Sequence, residues 1–463
     1  MAMQAHFDIA ADLDTPVSAY LKLRDLNPRF LLESVEGGER LARYSFLGFG
    51  DALDVRLDAH QFSIGDAAFP PPQTRNDYLG LLRKALAAVP EPKPDVDDLP
   101  FSGGLVGVSG YDVVRLFERV PRRSTPQTGV PDAAFTAPSS TLVFDHLTRR
   151  VALLHDGSAA ERENLRQTVI RLLRGAIPKN GNTVKTSPAT GSMTDRQFAE
   201  RVKACKEYIA AGDIYQIVLS VLFRGESNVR PFEVYRALRL LNPSPYMFYL
   251  EFGDLKVVGS SPEALVKLNG RTASLRPIAG TLPRGATPEE DQENEITLLN
   301  DPKESAEHVM LVDLARNDLG RVATAGSVHV DPYRAIERYS HVMHIVSGVQ
   351  GELAPDCDAF DLFAASFPAG TLVGAPKVRA MEIIEEMEDI GRGLYAGTAG
   401  YYGNSGDMDQ AITIRTLVFS GDEYRYQAGA GLVADSVAER EYQEVLAKSA
   451  ILRRALEIAG EGL

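Results

Sequence analysis

The stretch 301–321, DPKESAEHVMLVDLARNDLGR, decides how the rest of the chain is read. Asp301 is placed to cap a helix, and Pro302 fits the first helical position, where no backbone donor is needed. Glu304 and Glu307 stand three apart and share one helix face. Leu311 and Leu314 continue that face toward a core. A second pair of this kind occurs far downstream in EREYQEVLAKSAILRRAL, where Glu441 and Glu444 are again three apart and Lys448 follows one turn later. Two such pairs on facing helices supply oxygen donors only, the preference of a hard cation such as Mg²⁺. The plain alternative is two solvated helix faces, with Glu444 and Lys448 as an ordinary i,i+4 ion pair.

The bulk of the sequence sets bounds on partners. The chain has 463 residues, 44% hydrophobic and 24% charged, with a formal net charge of −14. That composition is globular, with length for two or three domain-sized units or one large fused core. Without a long basic run, nucleic acid is an unfavourable partner, and an anionic substrate must be held by local Arg, Lys, backbone N–H groups or a metal. Cys205 and Cys357 form neither a disulfide framework nor a metal-ligand spacing. The N-terminal residues lack the apolar segment of a signal peptide, and no run reaches the ~18 apolar residues of a membrane span. The cytoplasm is the expected location.

Residues 1–175 read as a mixed α/β subdomain, with strands in RFLLESVEG and ARYSFLGFG joined by a turn at Gly37–Gly38 and a helix from Asn76 to Val89. Residues 176–193, AIPKNGNTVKTSPATGSM, have linker composition. From 194 onward the pattern turns regular. Thr194 and Gln197 make a capping box, with Phe198, Val202, Cys205 and Ile209 at helical spacing behind them. DIYQIVLSVLF is a strand, 231–240 a helix, and Asn269–Gly270 a hairpin turn. The last strands lead into a helix with Ser436 and Glu439 as its cap signals.

The ordered set of motifs resembles the chorismate-utilising enzymes, and within them the large-subunit (component I, aminase) branch of the anthranilate synthases. The matching stretches are LLESVEGGER (31–40), NPSPYMFY (242–249), GSSPE (259–263), RPIAGTLPRG (276–285), 301–322, YSHVMHIVSG (339–348), FPAGT with GAPKVRAMEII (367–384), MDQAITIRT (408–416) and 428–448. The resemblance implies an α/β (α+β) fold, a large sandwich of two antiparallel β-sheets flanked by helices, built as two interwoven subdomains. With the linker that composition places at 176–193, the chain divides into an N-terminal subdomain, 1–175, and a catalytic 194–463. The resemblance also implies Mg²⁺-dependent conversion of chorismate and ammonia to anthranilate and pyruvate, the first step of tryptophan biosynthesis.

The site residues are carried over by position. Glu304, Glu307, Glu441 and Glu444 match the metal group. Arg415, Lys448, Thr281, Gly280, and Gly429, Ala430 and Gly431 match the substrate-binding positions, where glycine lets backbone approach a carboxylate. Glu263 matches the general acid that protonates the departing C4 hydroxyl. His344 matches the histidine of pyruvate elimination, and Thr371 and Tyr395 match ring contacts. Gln216 stands where water-adding members carry a lysine base, and Ala279 where others carry a lysine nucleophile; both choices favour attack by ammonia itself. Leu32, Glu33, Ser34, Pro245, Tyr246 and Met247 match a tryptophan feedback site. Val221, Leu222 and Val373 depart from the family pattern, which leaves open a reaction stopping at 2-amino-2-deoxyisochorismate or a non-catalytic homologue that binds chorismate or tryptophan. With no glutaminase segment in the sequence, ammonia is expected from solution or from a separate glutamine amidotransferase subunit in a hetero-oligomer.

Overall fold

The computed structural model describes residues 6–35, 43–96, 98–178, 184–338 and 342–463. The expected Gly37–Gly38 turn and the Tyr339–His341 part of YSHVMHIVSG lie outside them.

One hydrogen-bonded path runs through most of the strands. Gln216–Glu226 pairs with Glu423–Leu432 from Ile217↔Leu432 to Glu226↔Glu423. The path continues through Thr416–Ser420, Leu255–Ser261, Tyr246–Phe252, Pro28–Glu33, Tyr44–Leu57 and Ala133–Asp145. It goes on through Gly104–Ser109, Thr398–Gly403, Met408–Ile412, Ala264–Asn269 and Thr272–Leu275. All these pairings are antiparallel. Among the described residues, the two sheets expected from the resemblance are thus one curled, 21-stranded sheet, joined by ladders between strands distant in sequence, with a separate three-stranded sheet beside it. Long strands make the continuity possible: Tyr44–Leu57 and Ala133–Asp145 pair along their lengths with a register shift between Phe49 and Ala52, the irregularity that bends a sheet.

Alternation along each strand sorts the core onto two faces. One face carries Phe30, Phe46, Val106, Val108, Val143, Phe248, Leu250, Val257 and Tyr401, with Phe101 packed edge-on to Phe30 and Phe46. Strand and loop residues alone make up this cluster, so the sheet closes upon itself there. The other face carries Leu31, Leu105, Phe135, Leu219, Val221 and Tyr249 together with helix residues such as Leu79, Phe198, Val202, Leu238 and Leu452. Helices therefore cover the outer face.

Local signals placed most helices. Thr194 and Gln197 form the reciprocal capping box of Asp195–Ala211, and Gly212 ends that helix in the left-handed region. Asp301 accepts hydrogen bonds from the Lys303 and Glu304 amides at the start of Pro302–Gly320. The expected cap at Ser436 is corrected: the last helix runs Ala438–Glu461 without a side-chain cap, and Ser436 Oγ instead accepts from the Val433 amide in the preceding turn. A helix at Pro288–Asn300, unread from the sequence, caps on Thr287. Within the 176–193 segment, Thr190–Gly191 forms a short strand against Phe223–Arg224.

Candidate active site

The Gln216–Glu226 and Glu423–Leu432 strands provide the floor. Register pairs Val218↔Gly431, Ser220↔Gly429 and Leu222↔Gln427 put Gln216, Val218 and Ser220 on one face with Gly431, Gly429 and Gln427. A Cβ on Gly429 would come within 2.8 Å of Tyr395 Oη and 3.0 Å of Leu219 O, and one on Gly431 within 3.0 Å of Gln216 Nε2. The AGAG run is therefore glycine where neighbours approach the backbone, while Ala430 faces the helix-side core. Lys448, on the last helix, donates to Gly429 O at 3.1 Å.

Glu263 follows the Leu255–Ser261 strand and lines a recess with Leu311, Leu314, Ala369, Gly370, Thr371 and Ile412. Burial pushes its carboxyl up to about 7, against the pull of a Thr371 hydrogen bond and the charges of Arg415 and Lys448. Thr371 Oγ1 donates to Glu263 Oε1 at 3.0 Å. Arg415 has a φ of 48°, the left-handed region that a non-glycine side chain enters at a cost. A carboxyl poised near neutrality beside two cations is the arrangement of a general acid acting on a bound anion.

The three-stranded sheet closes another side. Ile278–Pro283 pairs with Val342–Val346, in register Thr281↔His344, around an irregularity at Gly280. Gly280 adopts φ +65°, and a Cβ there would lie 3.3 Å from Glu304 Oε2. His344 Nδ1 lies 2.9 Å from Gly280 O and 3.1 Å from Thr281 Oγ1. A carbonyl can only accept, so in the neutral ring Nδ1 carries the proton and the lone pair sits on Nε2. Ala279 is buried beside them.

The glutamates are brought together only in part. Glu307 Oε1 lies 3.5 Å from Gln216 Nε2, and burial together with the charges of Glu307 and Asp301 raises the Glu304 carboxyl. Glu444 pairs with Lys448 at 2.7 Å, the ordinary i,i+4 geometry, with both side chains about half exposed. Among the described residues no three carboxylates, histidines or cysteines stand close enough to form a ready metal cluster, so Glu441 and Glu444 are not assembled with Glu304 and Glu307. The Glu307 and Asp301 charges repel that of Glu304, and Lys448 is the counter-charge that Glu444 takes.

The Leu32–Ser34 and Pro245–Met247 segments do meet. Met247 is the register partner of Glu33, and Val35 donates to Ser244 O at 3.1 Å. The buried Glu33 carboxylate accepts from Tyr235 Oη and from Arg239 Nε and Nη2 at 3.1 and 3.2 Å, so helix Pro231–Leu241 holds it. Burial and the neighbouring Asp409 hold the Tyr246 hydroxyl well above its ordinary value. Val221 lies in the helix-side core, Leu222 lines a second recess with Arg392, Tyr395 and Gln427, and Val373 is buried directly after the Gly370–Leu372 turn. None of the three lines the recess that holds Glu263.

The sequence reading missed two buried ion pairs. Lys377 donates to Asp318 at 3.0 Å behind Leu314 and Ala315. Arg392 pairs with Glu388 beneath Thr371 and Tyr395. Neither lies in a periodic pattern, and only the i,i+4 spacing of Glu388 and Arg392 could have drawn notice.

The profile of the chorismate binding enzyme family matches residues 27–454. Anthranilate synthase component 1 of Thermus thermophilus is 45% identical over 460 residues, 98% of this chain and 97% of that protein. Its counterpart in Aquifex aeolicus is 45% identical over 469 residues, covering 98% and 94%. The chain belongs to the anthranilate synthase component 1 family of chorismate-binding enzymes. The crystal structure of anthranilate synthase component I from Streptococcus pneumoniae superposes with a TM-score of 0.80 at 36% identity, covering 89% of this chain and 92% of that one. The menaquinone-specific isochorismate synthase MenF of Escherichia coli, at 20% identity and a TM-score of 0.69, shares the fold.

Proposed function

We infer that the chain converts chorismate to anthranilate, using ammonia and releasing pyruvate, in tryptophan biosynthesis. The observation that carries this reading is Glu263, a carboxyl raised to about 7 and hydrogen-bonded to Thr371 in the recess beneath Arg415. Hydroxide is a poor leaving group, so the acid that protonates the C4 hydroxyl must hold its proton at working pH. Ammonia brings its own lone pair to C2, and Gln216 and Ala279 supply neither a base for water nor a competing nucleophile. His344, with its lone pair directed by the Gly280 and Thr281 contacts, is assigned the proton transfer that accompanies loss of pyruvate.

The donor chemistry of Glu304, Glu307, Glu441 and Glu444 fits Mg²⁺, since all are oxygen ligands, and the Glu304 carboxyl, raised first by burial and then by the charges of Glu307 and Asp301, is one whose ionised form a divalent cation would favour. When bound, the cation neutralises a substrate carboxylate against these glutamates. Arg415, Lys448, Thr281 and the 429–431 backbone bind the other anionic group. A glutamine amidotransferase subunit as ammonia source and tryptophan bound between Leu32–Ser34 and Pro245–Met247 complete the proposal, in a cytoplasmic hetero-oligomer.

Purified chain with chorismate, Mg²⁺ and ammonium salt at alkaline pH provides the test, followed by anthranilate fluorescence, pyruvate release and product mass. Anthranilate with equimolar pyruvate is expected, lost on chelation. An amino-intermediate without pyruvate would replace the reading by the one-step reaction, and unconsumed chorismate would overturn both.

A further inference from the structure

Beneath the Glu263–Thr371 pair lies a charge pair that the proposed chemistry does not use. Arg392 and Glu388 are 2% and 3% exposed. Arg392 Nε and Nη2 donate to the two Glu388 oxygens at 2.9 and 2.8 Å. Its remaining reach goes to backbone, with Nη1 to Leu372 O at 2.7 Å and Nη2 to Val218 O at 2.8 Å. Glu388 in turn accepts from the Ser220 amide at 2.9 Å and the Ser220 hydroxyl at 2.7 Å. Tyr111 and Tyr395 sandwich the guanidinium with centroids at 5.0 and 5.6 Å.

The pair takes over where pairing along one edge of the floor strand, the edge that meets Gly374–Ala375, stops. The Val218 amide donates to Val373 O at 2.9 Å, after which Ser220 and the Val218 carbonyl find Glu388 and Arg392 instead of a strand. The turn Gly370–Leu372 is thereby tied at two successive carbonyls, Leu372 to Arg392 and Val373 to Val218, immediately after Thr371. Gly370 seals its other side, since a Cβ there would stand 1.9 Å from Leu314 Cδ2. A buried ion pair is a weak source of stability compared with apolar packing. A planar fork that bridges a carboxylate and two carbonyls on separate segments is instead a geometric device, which lysine cannot reproduce.

We propose that the Arg392–Glu388 pair is the positioning element of the general acid: it holds the Gly370–Leu372 turn on the floor strand so that Thr371 reaches Glu263. The proposal rests on the reading of Glu263 as that acid. Glu263 also faces Arg415 and Lys448, with Arg276 and the Lys377-paired Asp318 lining the same recess; Arg392 faces Tyr111 and Tyr395 beyond Glu388, and Tyr111 in turn faces Glu385 and Asp112. R392K and T371V alter none of these charges; E388Q, held in reserve, removes that of Glu388.

The test follows kcat and KM against pH at constant free ammonia for the full chain and for E263Q, T371V, R392K and R392K/T371V. Removing the Thr371 donor destabilises the Glu263 carboxylate, so the alkaline limb of kcat moves up in T371V. R392K is expected to move it the same way, by about half a unit or more, with kcat down about 10- to 100-fold and chorismate KM changed less than about threefold. In the double variant the limb moves no further than in T371V. A folded R392K with the wild-type limb, or shifts that add in the double variant, overturns the proposal. Should R392K lose its cooperative melting transition, E388Q carries the same measurement, and failure of both to fold assigns the pair to the core alone. Turnover that survives E263Q overturns the underlying reading, whereas turnover that needs Glu263 but shows an unmoved limb in R392K overturns the positioning role only.

Discussion

At the scale of the residue, the chemistry depends on one proton and one glycine. Glu263 is raised to about 7 mainly by burial. It acts while protonated, so the rate at constant free ammonia is expected to fall as pH rises through that value. Glu263→Gln, of equal size but unable to give up a proton, is expected to lower kcat by about 10²- to 10⁴-fold while leaving chorismate binding measurable by calorimetry. Gly429 has a different requirement. An alanine there places a methyl 2.8 Å from Tyr395 Oη and 3.0 Å from Leu219 O, which displaces the tyrosine or the floor. Gly429→Ala is expected to raise the KM for chorismate by about tenfold or more, and to lower stability by about 1–3 kcal/mol. The candidate residues on motifs were legible in the sequence because their types are fixed by chemistry: carboxylates for a cation, glycine for close approach. Arg392 and Glu388 were not, because a buried ion pair is identified by what surrounds it, and those surroundings come from positions 111, 218, 220, 372 and 395.

At the scale of the element, caps and turns were read correctly where the donors are local. Thr194 with Gln197 and Asp301 with the amides after it need only neighbours three residues away. Thr194→Ala is expected to cost about 1 kcal/mol in urea unfolding. Ser436 failed as a cap signal because its hydroxyl satisfies the Val433 amide in the strand-to-helix turn, a competing local partner with equal claim. The Gly370–Leu372 turn shows the reverse dependence. Its glycine is demanded by Leu314 on a helix more than fifty residues earlier in the chain. Gly370→Ala is expected to push the turn off the Pro302–Gly320 helix, lowering stability by about 1–3 kcal/mol and kcat together. Denaturant midpoints and turnover measured on the same preparation check both.

At the scale of the whole molecule, the sheet ignores the division into halves that sequence composition suggests. Phe30–Leu32 pairs with Phe248–Leu250, and Gly104–Ser109 with Thr398–Gly403. A fragment of residues 194–463 would expose two strand edges and half of the inner apolar face. It is expected to lack a cooperative unfolding transition by calorimetry and to aggregate, whereas the full chain unfolds with its two halves coupled. Phe101, wedged between Phe30, Phe46 and Tyr401, sits where the curled sheet closes. Phe101→Ala is expected to cost about 3–5 kcal/mol.

By itself the sequence determined most of the helix starts, the alternation of the strands, the acidic and glycine-rich motifs and, through their order, the family. These depend on residue type and on neighbours a few positions away, where sterics and hydrogen bonding act without knowledge of the fold. Only the tertiary structure decided that the strands join into one curled sheet, that Glu263 loses enough water to keep its proton near neutrality, and that Arg392 and Glu388 sit beneath it. Strand partners, desolvation and buried charge pairing depend on contacts between residues up to hundreds apart, which no local pattern encodes.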